Sequence, residues 1–178
     1  GRNTAIIFAD GAAAAVISAT TDDKGLLSTH LHTDGKYAKE LWVEAPSSKV
    51  KPRLDHSILD SKKQFLYMNG REVFRHAIKR FPEVIYEALN HNDLSIDDIS
   101  ILIPHQANLR ISKSIQKIMN LKDNQLVSNI HKYGNTTAAS VPIALCETIM
   151  NNKLKKGDIL VLAAFGSGFS WGSAILKW

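Results

Sequence analysis

The chain has 178 residues, 44% hydrophobic and 22% charged, with 10 glycines and 5 prolines. That balance excludes a collagen repeat, low-complexity disorder and a disulfide scaffold, and the length suits one core burying about 70% of the unfolded surface. Lys and Arg number 22 against 17 Asp and Glu, and the net charge of +5 favours an anionic ligand or partner.

Gly1-Arg2-Asn3-Thr4 leads straight into a short apolar run, so no secretory leader is expected. No apolar run reaches the ~20 residues of a membrane span. Residues 5–8 and 14–19 flank Asp10-Gly11 and predict a strand hairpin; 25–32 predict another strand. Residues 36–64, polar and holding Pro46 and Pro52, predict a long surface excursion. From Gly70 to His91 the residues Phe74, Ala77, Ile78, Phe81, Val84, Ile85, Ala88 and Leu89 recur at helical spacing, and Pro82 inside that pattern predicts a kink or break.

A polar connector at 95–98 precedes a buried strand at 99–103 that Pro104 stops. A helix is expected over 107–119 with Ile111, Ile115, Ile118 and Met119 inward, then a strand at 126–130 and a turn at 134–137. The helix after that turn extends to about residue 151, and strands follow at 159–164 and 169–178. Helices and strands alternate, which predicts an α/β layer fold with a mostly buried sheet. Residues 6–17 and 160–176 both read as strand, glycine turn, strand, an echo expected of a fold with two similar halves.

Three segments could carry chemistry. His105, in PHQANLR (104–110), falls just past a buried strand, where open α/β sheets bind ligands. It reads equally as a residue at the edge of the core. Asn135, in YGNTTAAS (133–140), stands at a turn before a helix, where Asn, Thr and Ser also serve as caps. FGSGFSWG (165–172) lacks the G-x-G-x-x-G spacing of a dinucleotide loop. It contains G-x-S-x-G, but no histidine follows it, which excludes a nucleophile elbow. A tight hairpin, or a turn whose amides can approach a ligand, remains.

Basic residues also share helix faces: Arg110, Lys113 and Lys117 on one, Arg71, Arg75 and Lys79 on another. Each reads as a solvated face or as an anion-docking patch. Aromatic residues do not interleave with them, so nucleic acid is disfavoured. His30 and His32 lack further residues at ligand spacing, so no metal is expected. Cys146, the one cysteine, cannot form an internal disulfide and fits a reducing, cytoplasmic setting. Its apolar helical neighbours predict a small buried hydrophobe.

Together the three segments resemble the C-terminal part of β-ketoacyl-acyl-carrier-protein synthase III, of the thiolase-like superfamily. The family pattern is P-H-Q-A-N-x-R, G-N-T-S-A-A-S, G-x-G-F-T-W-G; here the stretches are PHQANLR, GNTTAAS and GSGFSWG, with thirty residues from His105 to Asn135. FADGAAAAV (8–16) and STHLHTDG (28–35) fit as well. The resemblance implies a thiolase-like α/β fold. In it, 1–35 are the last strands of an N-terminal half and the crossover, 36–66 a surface excursion, and 67–178 a C-terminal half.

It also implies a decarboxylative Claisen condensation between an acyl-CoA primer, often acetyl-CoA, and malonyl-acyl carrier protein, with no cofactor and no metal. His105 and Asn135 match the family's catalytic histidine and asparagine. Phe165, Gly166, Ser167 and Gly168 match its oxyanion loop, with Ser167 in place of a glycine. Met68, Gly70, Phe74 and Asn108 match its pantetheine tunnel, and Arg2 an arginine near the CoA nucleotide. Arg75, Arg110 and Lys117 match its carrier-protein docking face. The nucleophilic cysteine belongs to the N-terminal half; Cys146 does not match it, so this chain alone is expected to be inactive. The implied partners are acyl carrier protein, CoA thioesters, that missing half and, for the complete enzyme, a second copy; no nucleic acid or membrane is expected. A non-catalytic carrier-binding module and a related acyltransferase of secondary metabolism are the alternatives.

Overall fold

A computed structural model describes residues 2–178, with the side chains of Arg2 and Asn3 outside the described set. In chain order the elements are α1 (Arg2–Ala5), β1 (Gly25–Thr33), β2 (Leu41–Trp42), α2 (His56–Asp60), β3 (Tyr67–Met68) and α3 (Gly70–His91). There follow β4 (Ile99–Pro104), α4 (Leu109–Ile118), α5 (Ile130–Tyr133), α6 (Ser140–Met150), β5 (Ile159–Gly166) and β6 (Ser170–Lys177). Four strands form one mixed sheet in the order β1-β6-β5-β4, where β4 and β5 run parallel and the other pairs antiparallel. This is the expected α/β architecture of a sheet with helices on its faces.

The helices take opposite sides. On one, Ala77, Phe81, Ile85, Ala88 and Leu89 of α3 and Ile111, Ile115 and Met119 of the α4 region pack on Ile99, Leu102, Val161, Ala163 and Ile175. On the other, Ala144 of α6 meets Ile101, Ile103 and Leu160, with Val141 and Leu145 partly covered. The period-2 alternation along β4 sends Leu102 to one layer and Ile101 and Ile103 to the other, so the strand reads as continuously apolar because it is buried on both faces.

Several local expectations change. Residues 9–21 have no regular structure, and Phe8 forms a single parallel bridge with Asn135, so the hairpin over 5–19 is absent. A strand needs a neighbour along its length, and residues 134–136 pair with this segment only around Phe8. Its side chains remain in solvent, with Val16 98% exposed. Helix α3 continues through Pro82, which is itself buried. Burial of Phe81, Val84 and Ile85 offsets the lost helical hydrogen bond, a proline penalty of about 3 kcal/mol.

The segment 126–130 contributes one bridge, Leu126 to Leu102, because Gln106 rather than a strand partner takes up its next backbone groups. Ile118 is exposed, since the α4 face turned to the core is set by Ile111 and Ile115. Cys146 is exposed too, because α6 presents Ala144 and Thr148 to the sheet. Helix α4 begins at Leu109 rather than 107, with Asn108 as its cap: Arg110 N–H donates to Asn108 Oδ1 at 2.8 Å. The excursion hangs from a small hairpin in which Leu41 faces Met68 and Trp42 faces Tyr67.

Two devices fix the loops that reach the sheet's end. Glu147 of α6 accepts hydrogen bonds from Asn129 Nδ2 at 2.8 Å, Lys132 Nζ at 2.9 Å and the Tyr133 hydroxyl at 2.8 Å, and so ties α5 to α6. The Asn129 amide, then the Lys132 ammonium, hold its pKa down from 4.5 to about 2. The β5–β6 turn depends on Gly168, whose φ is +136°. A Cβ there would meet the Ser170 side chain and lie 2.7 Å from Ser170 N, whereas one at Gly166 would meet nothing within 4 Å.

Both devices give expected outcomes. Glu147→Gln should lower the unfolding free energy by about 1–2 kcal/mol at neutral pH, as removing a charged hydrogen-bond acceptor does. The parent's advantage is complete above pH 4.5 and disappears as the pH falls towards about 2, because the folded carboxylate is the more acidic one. Urea unfolding of both proteins across that range measures it. Gly168→Ala should cost more than ~1 kcal/mol, since alanine is strained at positive φ, while Gly166→Ala stays within ~0.5 kcal/mol of the parent. Thermal unfolding of the pair distinguishes the two positions.

Candidate active site

Chain geometry brings His105 and Asn135 to one cavity at the carboxyl ends of β4 and β5. The cavity measures about 1320 Å³, and both residues line it together with Met68, Phe74, Asn108 and Phe165. Pro104 pairs with Ala163 at the end of the parallel ladder, and His105 N–H extends that ladder by donating to Ala163 O at 2.7 Å. The imidazole therefore leaves the sheet where the strand stops.

Its surroundings are built from buried polar groups. His105 Nδ1 lies 2.6 Å from Ser140 Oγ, which also accepts from Gln106 N–H at 3.2 Å. Gln106 is 1% exposed; its Nε2 donates to Pro104 O at 2.6 Å and Val127 O at 3.3 Å, and its Oε1 accepts from Asn129 N–H at 3.1 Å. Burial lowers the His105 pKa below 6.5, so at neutral pH the ring carries no net charge. Such a ring offers one N–H and one bare nitrogen.

Asn135 comes to the same place by a different route. Gly134 holds φ at +69° and turns the chain so that Asn135 N–H donates to Ile7 O at 3.2 Å while Ala9 N–H donates to Asn135 O at 2.9 Å. The side-chain oxygen accepts from Thr137 N–H at 2.9 Å. That bond braces Thr137 at φ +50°, a strained conformation for a β-branched residue, of order 1–3 kcal/mol. It also fixes the amide's orientation: the oxygen is engaged locally, as a cap would be, and Nδ2 is left as the donor.

Gly166 and Ser167 line the cavity as well, with Ser167 exposed. Behind their turn stands a stack of rings: Phe165 to Phe169 at 4.9 Å, Phe169 to His76 at 5.1 Å and Phe169 to Tyr37 at 5.4 Å between centroids. Asp34 N–H donates to Phe169 O at 2.8 Å and holds the stack to the segment after β1. Desolvation, then the Arg75 and Arg80 charges, lower the His76 pKa, which keeps this buried ring neutral among the aromatics.

Gly70 lines the cavity, and so does Arg110, whose guanidinium lies 5.5 Å from the Phe74 ring centre. Arg75 stands outside it, ion-paired with Glu72, and Lys117 is exposed on the last turn of α4. The Arg2 side chain is outside the described residues. His30 and His32 both contact Glu87 of α3, at 3.3 and 2.6 Å, and tie β1 to that helix. Among the described residues no cluster of three or more His, Cys, Asp and Glu could hold a metal ion, and no helix is long and apolar enough to cross a membrane.

Sequence reasoning missed Ser140, Gln106, Asn129 and Glu147. The first two lie inside quoted motifs, but nothing local marks them. Their partners are 35 and 21 residues away.

The chain matches known proteins along its whole length. Residues 89–178 match the family described as 3-oxoacyl-[acyl-carrier-protein] synthase III, C terminal, and residues 1–35 match 3-oxoacyl-[acyl-carrier-protein] synthase III. A β-ketoacyl-[acyl-carrier-protein] synthase III of Rhodospirillum centenum is 42% identical over 181 residues, and one of Roseiflexus castenholzii 39% over 177; each alignment covers 99% of this chain and 53% of the relative. The crystal structure of the Thermus thermophilus synthase III superposes with a TM-score of 0.89 at 36% identity, over 99% of this chain and 53% of that one. The Aquifex aeolicus synthase III gives 0.87 at 34% identity, over 100% and 52%. The chain therefore spans about half the length of the relatives it matches. With a family match over half its residues and the same fold as solved synthases at 34–36% identity, this chain belongs to the 3-oxoacyl-[acyl-carrier-protein] synthase III family.

Proposed function

We propose that this chain is the C-terminal part of a synthase III that condenses an acyl-CoA primer with malonyl-acyl carrier protein and so initiates fatty acid biosynthesis. The observation that carries the reading is the pair His105 and Asn135 lining one cavity, each with one end engaged locally and the other left to bind. Breaking the malonyl C–C bond releases CO₂ and leaves the electron pair on the thioester enolate. An imidazole N–H and an amide N–H aimed at that oxygen stabilise the charge without bringing a net charge of their own into a poorly hydrated site. One such fixed donor is worth about 3–4 kcal/mol. The enolate carbon then attacks an acyl-cysteine carbonyl and the thiolate departs.

In this reading the cysteine comes from the part of the synthase that this chain does not cover. Amides of the 166–168 turn serve the second oxyanion. Met68, Gly70, Phe74 and Asn108 take the pantetheine arm, Arg2 serves the CoA nucleotide, and Arg110, Lys117 and Arg75 meet the acidic carrier protein. Arg75 exchanges its Glu72 partner for a carrier acid. No metal or prosthetic group enters, and the setting is cytoplasmic. Residues 1–35 and 67–178 belong to two similar halves, with 36–66 between them, and the complete enzyme is a homodimer. The exposed apolar residues Val16, Ile17, Leu26, Leu31 and Met150 support a large covered surface in the complete protein.

The test joins this chain to the N-terminal half of the Aquifex aeolicus synthase and follows CO₂ release from a malonyl thioester. His105→Ala and Asn135→Ala should each lower the rate about 10²–10³-fold, the loss typical of removing one oxyanion donor. Equal rates in parent and variants would refute the assignment.

A further inference from the structure

Ser140 is 2% exposed, and its surroundings permit a full accounting of its hydroxyl. A serine hydroxyl has one proton to give and two lone pairs to accept with. It does not cap its helix: the cap position of α6 is Ala139, with no side-chain cap bond. Gln106 N–H, 3.2 Å away, can only donate, so that contact occupies a lone pair and leaves the hydroxyl proton unplaced. Among the described residues the remaining hydrogen-bond partner is His105 Nδ1 at 2.6 Å. If Nδ1 carried the ring proton, Ser140 Oγ would accept twice and bury its own O–H unpaired, at a cost of about 1–3 kcal/mol.

We propose that Ser140 is a positioning residue that selects the tautomer of His105: its hydroxyl donates to Nδ1, so the single ring proton sits on Nε2. The tautomer follows from this hydrogen-bond accounting alone; its use as an enolate donor rests on the function proposed above. Burial of the ring favours the uncharged form in which a tautomer choice exists. The arrangement parallels Asn135, where Thr137 N–H occupies the oxygen and leaves the amide nitrogen as donor. In both side chains a fixed local partner determines which polar atom is left for the cavity.

The experiment is a long-range proton–nitrogen correlation spectrum of the histidine-labelled chain at neutral pH, with the His105 signals identified by their loss in His105→Gln. The parent should show a bare Nδ1 and a protonated Nε2. Folded Ser140→Ala should show a mixture or the reverse, and Ser140→Thr, which retains the hydroxyl, should keep the parent pattern. A protonated Nδ1 in the parent overturns the proposal, and so does an unchanged tautomer in folded Ser140→Ala. Should Ser140→Ala fail to fold, the parent spectrum decides alone. In the joined polypeptide Ser140→Ala should lower kcat for CO₂ release about 10–100-fold with KM unchanged, the usual scale for an orienting partner, and Ser140→Thr should restore it. An Nε2–H parent that releases no CO₂ would sink the function and support the tautomer assignment.

Discussion

One buried side-chain amide holds the two halves of the site together. Gln106 bonds the carbonyl of Pro104 on its own strand end and both the carbonyl of Val127 and the N–H of Asn129 on the next segment. Each is a backbone group that the sheet does not pair at that point. In a poorly hydrated interior such groups must find partners, and a single amide that satisfies three of them couples the segments that carry them. Asn129 passes the constraint to Glu147 on α6, and α5 then delivers Gly134 and Asn135. His105 stands next to Gln106 in the chain, so the same amide sets the positions of both donors.

Around this anchor the sheet supplies direction. The parallel pair β4–β5 ends in register, with Pro104 beside Ala163, and the His105 N–H uses the last ladder carbonyl. Strand β5 continues three residues past Ala163 to Gly166 and turns back at Gly168, which places Gly166 and Ser167 at the cavity's edge. The rings of Phe165, Phe169, His76 and Tyr37 pack together behind the turn. Sheet, glycine turn and ring stack thus form one side of the cavity.

Charge is arranged more loosely. Arg110 is drawn to the cavity mouth by the face of Phe74, Arg75 is held by Glu72, and Lys117 extends into solvent. Surface ion pairs such as Arg75–Glu72 contribute little to stability. Such side chains are held from one side only, whereas the His105 imidazole and the Asn135 carboxamide are fixed by hydrogen bonds and by the chain around them.

The sequence alone determined the elements whose causes are local. The 3.6-residue period from Gly70 to His91, the apolar run at 99–103 and the strands on either side of the glycine turn all appear where periodicity and turn chemistry put them. The three motifs also named His105 and Asn135, and both line the cavity. Tertiary structure decided whatever depended on a distant partner. The 5–19 segment is apolar enough for strands, but strands require neighbours along their length, and only the stretch around Phe8 finds one, at Asn135. Pro82 stays helical because its surroundings are buried, and Cys146 faces outward because Ala144 and Thr148 fit the sheet better. The work of Ser140 was hidden for the same reason: composition and spacing record what a hydroxyl can do, and only folding over 35 residues determines which atom it meets.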